Sequence, residues 1–143
     1  MSHLLARLHV ACLVLLCVSE VQSAEWSVPV AGNVFRSAPA PSGRGIGRAG
    51  SIAWSDSEGV FSIYFHVDRA AAIDLALNAR VPEGNSTITT RIADKDVSTT
   101  LAGAEFASHK IGRFDIATPG YVRVDLTGAE RSGRVYAEIR DLT

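Results

Sequence analysis

From residue 54 to residue 83 the chain alternates apolar and polar side chains with a period of two. Phe61, Ile63, Phe65 and Val67 fall on one phase, and Val60, Ser62, Tyr64 and His66 on the other. After a short break Ile73, Leu75 and Leu77 alternate with Asp74, Ala76 and Asn78. Such a period sets one face of a strand into a core and leaves the other toward solvent. The pattern recurs in residues 87–93 through Ile88, Thr90 and Ile92, and beyond an Asp94-Lys95-Asp96 turn in Val97, Thr99 and Leu101. It continues through Ile111, Phe114 and Ile116, then Val122, Val124 and Leu126, and finally Val135, Ala137 and Ile139. Residues 26–35 read as a first strand broken at Gly32-Asn33, and residues 51–54 as a short one. No stretch carries a 3.6-residue period. The alanines at 70–72 suit a helix start, but Ile73, Leu75 and Leu77 are spaced for a strand. About eight or nine short strands with regular turn signals predict an all-β, antiparallel sandwich or barrel.

Two segments stand outside this pattern. Residues 37–50, SAPAPSGRGIGRAG, are rich in Gly, Pro and Ser and read as a long surface loop. Its Gly45, Gly47 and Gly50 match a dinucleotide-binding G-x-G-x-x-G. That site needs an apolar strand before it and a helix after it, and SAPAPSGR and SIAWSD are neither. Residues 1–23 read as a cleaved secretory signal, with a modest basic start at His3 and Arg7, the apolar run HVACLVLLCV, and small residues before the cut. The run is shorter than the roughly 20 residues that span a bilayer. Residues 24–143 are then one domain, secreted to the periplasm or outside the cell. Cys12 and Cys17, the two cysteines, both fall in the signal, so the exported chain forms no disulfide or thiolate metal site and depends on its core.

Composition narrows the partners. The formal net charge is −1, with acids and bases mixed along the chain. No basic stripe suggests nucleic acid, and no amphipathic helix suggests insertion into a membrane. Candidate chemistry is sparse. Asp94, Asp96, Ser98 and Glu105 fall at positions 1, 3, 5 and 12 of a calcium loop, but Thr99 takes the sixth position where glycine makes the turn, and no helices flank it. A zinc site would need His66, His109 and a carboxylate brought together. There is no G-x-S-x-G nucleophile elbow. No catalytic residue is assigned. Asn85-Ser86-Thr87 fits a glycosylation acceptor only in a eukaryotic secretory pathway.

Trp54-Ser55-Asp56 carries the strongest hint of binding. An indole face stacks on the apolar face of a sugar ring while nearby carboxylates and amides bond its hydroxyls. The competing role for Trp54 is a cap on the core. If consecutive strands run up and down, the turns near residues 83–85 and 103–105 reach the same end of the sandwich. Glu83 and Asn85 then join Trp54 and Asp56 as expected ligand contacts.

The segments PVAGNVF, WSDSEGVFSIYFHV, LNARVPEGNSTI, HKIGRFDIATPGYVRVDLTG and VYAEIRDL resemble those of a bacterial family of secreted domains of unknown function, number 5077. That family is in turn similar to galactose-binding-like jelly rolls of the carbohydrate-binding-module type. The resemblance implies a jelly-roll β-sandwich, a glycan ligand, and a structural calcium ion as an option, with no cofactor required. The function expected is an exported, non-catalytic carbohydrate-binding module. An envelope domain that binds a protein partner and a hydrolase acting on glycans are the alternatives.

Overall fold

The computed structural model describes residues 24–38 and 50–143, and all regular structure among them is strand. The secretory signal and most of the G-x-G-x-x-G segment lie outside the described residues. There are ten strands: β1 (Val28–Pro29), β2 (Val34–Ala38), β3 (Ile52–Trp54), β4 (Val60–Val67), β5 (Ala71–Arg80), β6 (Asn85–Ile92), β7 (Lys95–Ala102), β8 (Ala107–Ile116), β9 (Gly120–Arg131) and β10 (Ala137–Leu142). They form two antiparallel sheets packed as a jelly-roll sandwich. One has the order β1-β10-β5-β8, with β3 also pairing β10. The other runs β2-β4-β9-β6-β7. The short strands β1 and β3 share one edge of β10, at residues 141–142 and 137–139 respectively.

The apolar phase of each strand is the buried phase. Phe61, Ile63 and Phe65 of β4, Leu75, Leu77 and Ala79 of β5, and Val122, Val124 and Leu126 of β9 belong to one buried cluster between the sheets. Burying a large aliphatic or aromatic side chain is worth about 1.5–3 kcal/mol each. These alternating residues are therefore what hold together a domain whose described part contains no cysteine.

Two expected elements change. The strand expected over residues 26–35 is split: β1 belongs to one sheet and β2 to the other, and the chain crosses between them at residues 30–33, where Gly32 has a φ of 85°. The loop expected from residue 37 begins later, because β2 pairs with β4 through Ala38. The β6–β7 hairpin turns at Ala93-Asp94, so Lys95 and Asp96 are already in the strand. Ala93 takes the left-handed conformation there, at φ 51°.

The connections β3–β4, β4–β5, β5–β6, β7–β8, β8–β9 and β9–β10 cross from one sheet to the other. Each still reverses the chain. The turns at residues 55–59, 81–84, 103–106 and 132–136 therefore gather at one end, and those at 68–70, 93–94 and 117–119 at the other.

Candidate functional site

The Trp54 end brings the expected residues together, and commits Trp54 and Asp56 to the fold. Trp54 is 0% exposed. Its ring packs on Phe61 at 5.4 Å, steeply tilted, and on Tyr136 at 5.2 Å. The indole Nε1–H donates to the Asp56 carbonyl at 2.7 Å. With no ring face open, Trp54 is a core residue, which corrects its expected place as a stacking platform. The physical reason is its phase: Ile52 and Trp54 are the inward residues of β3, with Ala53 exposed between them.

Asp56 is occupied too. Its carboxylate pairs with the Arg36 guanidinium and also accepts from the Glu58 backbone N–H at 2.9 Å. Arg36 is only 12% exposed, so Asp56 serves as its counter-charge. Asn85 opens β6, and its Oδ1 accepts from the Ser132 hydroxyl at 3.1 Å. Glu83 is exposed in the β5–β6 turn, where its carbonyl lies so close to Gly133 that a Cβ there would meet it at 2.1 Å. Backbone bonds close this end: Tyr136 N donates to Trp54 O at 2.7 Å, Val81 N to Gly103 O at 2.8 Å, and Ser132 N to Asn85 O at 3.0 Å. Gly128 allows the closure, because a Cβ there would meet the Tyr136 ring at 2.6 Å.

The opposite impression comes from the outer face of the second sheet. Tyr121 is 80% exposed and Phe35 59%, the exposed large apolar residues of the described chain. Phe35 meets Tyr64 edge-on, with centroids 5.9 Å apart at 73°. Tyr121 meets His66 edge-on at 5.1 Å and 77°. Tyr64 and His66 are neighbours on the same face of β4. The four rings thus form a strip that crosses β2, β4 and β9 diagonally.

Beside the strip lies a row of polar side chains in register. Ser62 of β4 stands opposite Asp125 of β9, Asp125 opposite Arg91 of β6, and Arg91 opposite Asp96 of β7. The row is bonded in two groups, one around Asp125 and one between Arg91 and Asp96. Ser62 Oγ donates to Asp125 Oδ1 at 2.5 Å, and Arg123 Nε donates to the same oxygen at 2.8 Å. Arg91 grips Asp96 with two bonds of 2.6 and 2.7 Å. The hydrogen bond from Arg91 holds the Asp96 carboxyl below its ordinary value, while Asp96 and Asp125 raise Arg91 and Arg123 respectively above theirs. The Arg91–Asp96 pair therefore stays ionised at neutral pH.

Two cavities border this face, one over it and one at the end of the sandwich. One of about 320 Å³ lies over the row, between Ser37, Thr89, Asp96 and Thr127. The other, about 770 Å³, lies beyond Tyr121 and Arg123, between the β6–β7 turn and residues 114–118. Both are within the roughly 300–1,000 Å³ usual for ligand sites. Among the described residues, no group of three or more His, Cys, Asp or Glu is assembled to hold a metal ion. His66 and His109 stand in different sheets, and His109 Nε2 is 3.2 Å from the Ala79 carbonyl. The carboxylate set that the implied calcium ion would use is thus not formed by these residues.

A signal for this face is present in the sequence. Tyr64, His66 and Tyr121 occupy the polar phase of strands whose other phase is Phe61, Ile63, Phe65, Val122 and Val124. An aromatic residue on the solvent phase has no core to fill. The same logic applies to Phe35 beside the buried Val34.

No curated protein matches the chain. Several solved structures share its fold. The GH26-CBM35 β-(1,4)-mannanase of Podospora anserina superposes with a TM-score of 0.60 at 13% identity, over 82% of this chain and 26% of that one. An exo-β-1,3-galactanase of Phanerochaete chrysosporium, solved with β-1,3-galactotriose, gives 0.58 at 15% identity, over 84% and 29%. A ruminal GH26 endo-β-1,4-mannanase gives 0.54 at 15% identity, over 87% and 26%. The chain spans less than a third of the length of each of these enzymes, and at such identities the likeness is one of fold. At the level of sequence one family model matches residues 28–143, nearly all of the sandwich, and the chain belongs to that family, described as domain of unknown function DUF5077.

Proposed function

We propose that this protein is an exported, non-catalytic carbohydrate-binding module, and that its glycan surface is the outer face of the sheet β2-β4-β9-β6-β7. The observation that carries the reading is the exposure of Tyr121 and Phe35 on a face whose cavity is otherwise lined by the hydroxyl residues Ser37, Thr89 and Thr127 and by paired charges. Exposed rings beside fixed donors and acceptors are the chemistry that sugar rings and their hydroxyls require. Glycan-acting enzymes among the structures of similar fold support the same class of ligand. The basic start and apolar run of residues 1–23 support export.

The test is retention on a panel of soluble and insoluble polysaccharides, run with calcium and with a chelator. Retention of the protein and its loss in Tyr121→Ala, with unchanged thermal stability, is the expected result. Equal retention by the variant moves the glycan surface elsewhere. The same exposed rings favour a second reading, an envelope domain that binds protein. A stable dimer in size-exclusion chromatography with light scattering, together with no retention on any glycan, decides for it. A hydrolase remains the third class, and inactivity on a broad set of glycosides and esters removes it.

A further inference from the structure

Resting on the glycan-binding reading, we infer that the face takes a stretch of several sugar units from an uncharged glycan, laid along the strip from Phe35 through Tyr64 and His66 to Tyr121 and entering the larger cavity beyond β9.

The length of the strip sets the first part. Phe35 stands opposite Ser62, and Tyr121 opposite His66, so the strip covers four residue steps along β4 and two strand spacings across the sheet. That places its two ends on the order of 15 Å apart, longer than one sugar ring. The angles set the second part. Rings meeting at 73° and 77° make no flat platform, so the strip suits a single twisted chain rather than the plane of a crystalline polysaccharide.

Charge sets the class. The larger cavity is lined by three cations, Arg91, Lys95 and Arg123, and three carboxylates, Asp94, Asp115 and Asp125. The cations are already engaged. Arg91 is held by Asp96 and Arg123 by Asp125, while Lys95 donates to the Arg113 carbonyl at 2.7 Å and lies over the Phe114 ring. With as many carboxylates as cations in its lining, the cavity offers an anionic sugar no net positive charge, whereas hydroxyl groups bond to the remaining N–H donors and carboxylate lone pairs as they stand. The backbone adds further partners. Pairing between β6 and β9 stops at Ile92 and Val124, so residues 120–123 of β9 have one edge not covered by β6, and it borders the cavity. The N–H and C=O groups on that edge, not paired with β6, suit hydroxyls, which both donate and accept.

Calorimetric titration of the protein tests this with neutral manno- and galacto-oligosaccharides of increasing length, and with oligogalacturonates as the anionic counterpart. For one neutral series, affinity should rise at least about tenfold from the monosaccharide to the tetrasaccharide. It should change less than about twofold between roughly 0.05 and 0.5 M salt, because no net charge is being screened. Tyr121→Ala should remove the dependence on length. Three results overturn the inference alone: a monosaccharide that binds as tightly as the tetrasaccharide, preference for the oligogalacturonate with affinity falling as salt rises, or retention on crystalline polysaccharide only. Binding of no oligosaccharide in any series, together with no retention on any polysaccharide, overturns the glycan-binding reading with it.

Discussion

The two aromatic clusters of this sandwich contain similar side chains and have opposite fates. Trp54, Phe61 and Tyr136 interlock at one end and are sealed from solvent. Phe35, the half-buried Tyr64, His66 and Tyr121 lie across the outer face of one sheet. The difference is phase and not chemistry. Trp54 is on the inward phase of β3, and Tyr121 on the outward phase of β9. An aromatic residue on the inward phase stabilises the fold. On the outward phase its exposed area contributes nothing to the core and is free to meet a ligand. A tryptophan beside a carboxylate, taken alone, therefore points to a buried cluster.

The sharpest way to break this contrast is Trp54→Ala. Emptying a fully buried tryptophan site is expected to cost about 3–5 kcal/mol in denaturant unfolding, a large share of the roughly 5–15 kcal/mol of a typical domain. A variant that kept its stability but lost glycan retention would restore Trp54 as the contact. Asp56→Ala comes next. It strands the nearly buried Arg36 guanidinium, and we expect a loss of about 2–3 kcal/mol, below that of a fully buried pair because the Asp56 side chain is 40% exposed. Its glycan retention, measured at a temperature where the fold holds, should match that of the unaltered protein.

Tyr121→Ala should do the reverse. It is expected to weaken glycan binding at least about tenfold, worth ~1.4 kcal/mol, while stability stays within about 0.5 kcal/mol. A thermal shift as large as that of Trp54→Ala would erase the distinction between the clusters. Thr90→Val probes the core beneath the face. The Thr90 hydroxyl is buried and has no hydrogen-bond partner among the described residues, so the isosteric methyl should raise stability by about 1 kcal/mol. The smallest effect concerns the exposed Arg91–Asp96 pair. Because Asp96 titrates below its ordinary value in the folded protein, the pair's contribution is complete above the unfolded carboxyl value and fades as pH falls through the folded one. An NMR titration should place the Asp96 midpoint below 3.8, and Arg91→Gln should move it upward.

Much of the fold was legible because alternation is a local property. Ile73, Leu75 and Leu77 announce a strand without reference to anything distant, and the turn signals at residues 81–85 and 118–120 mark its neighbours. The split of residues 26–35 was not legible as a change of sheet, since Gly32 and Asn33 show only that the chain bends. The candidate site was half legible. Tyr64, His66 and Tyr121 on the polar phase carried the signal, but Trp54-Ser55-Asp56 drew attention by residue type.

The sequence by itself determined the all-β class, the inward phase of most strands and the family, since each depends on neighbours along the chain. Only the tertiary structure decided which aromatic residues meet and which carboxylates are spoken for. Arg36 lies 20 residues from Asp56, and Ser62 lies 63 from Asp125. Pairings at that separation arise when the connections cross from sheet to sheet, and no period along the chain encodes which edge a returning strand will join.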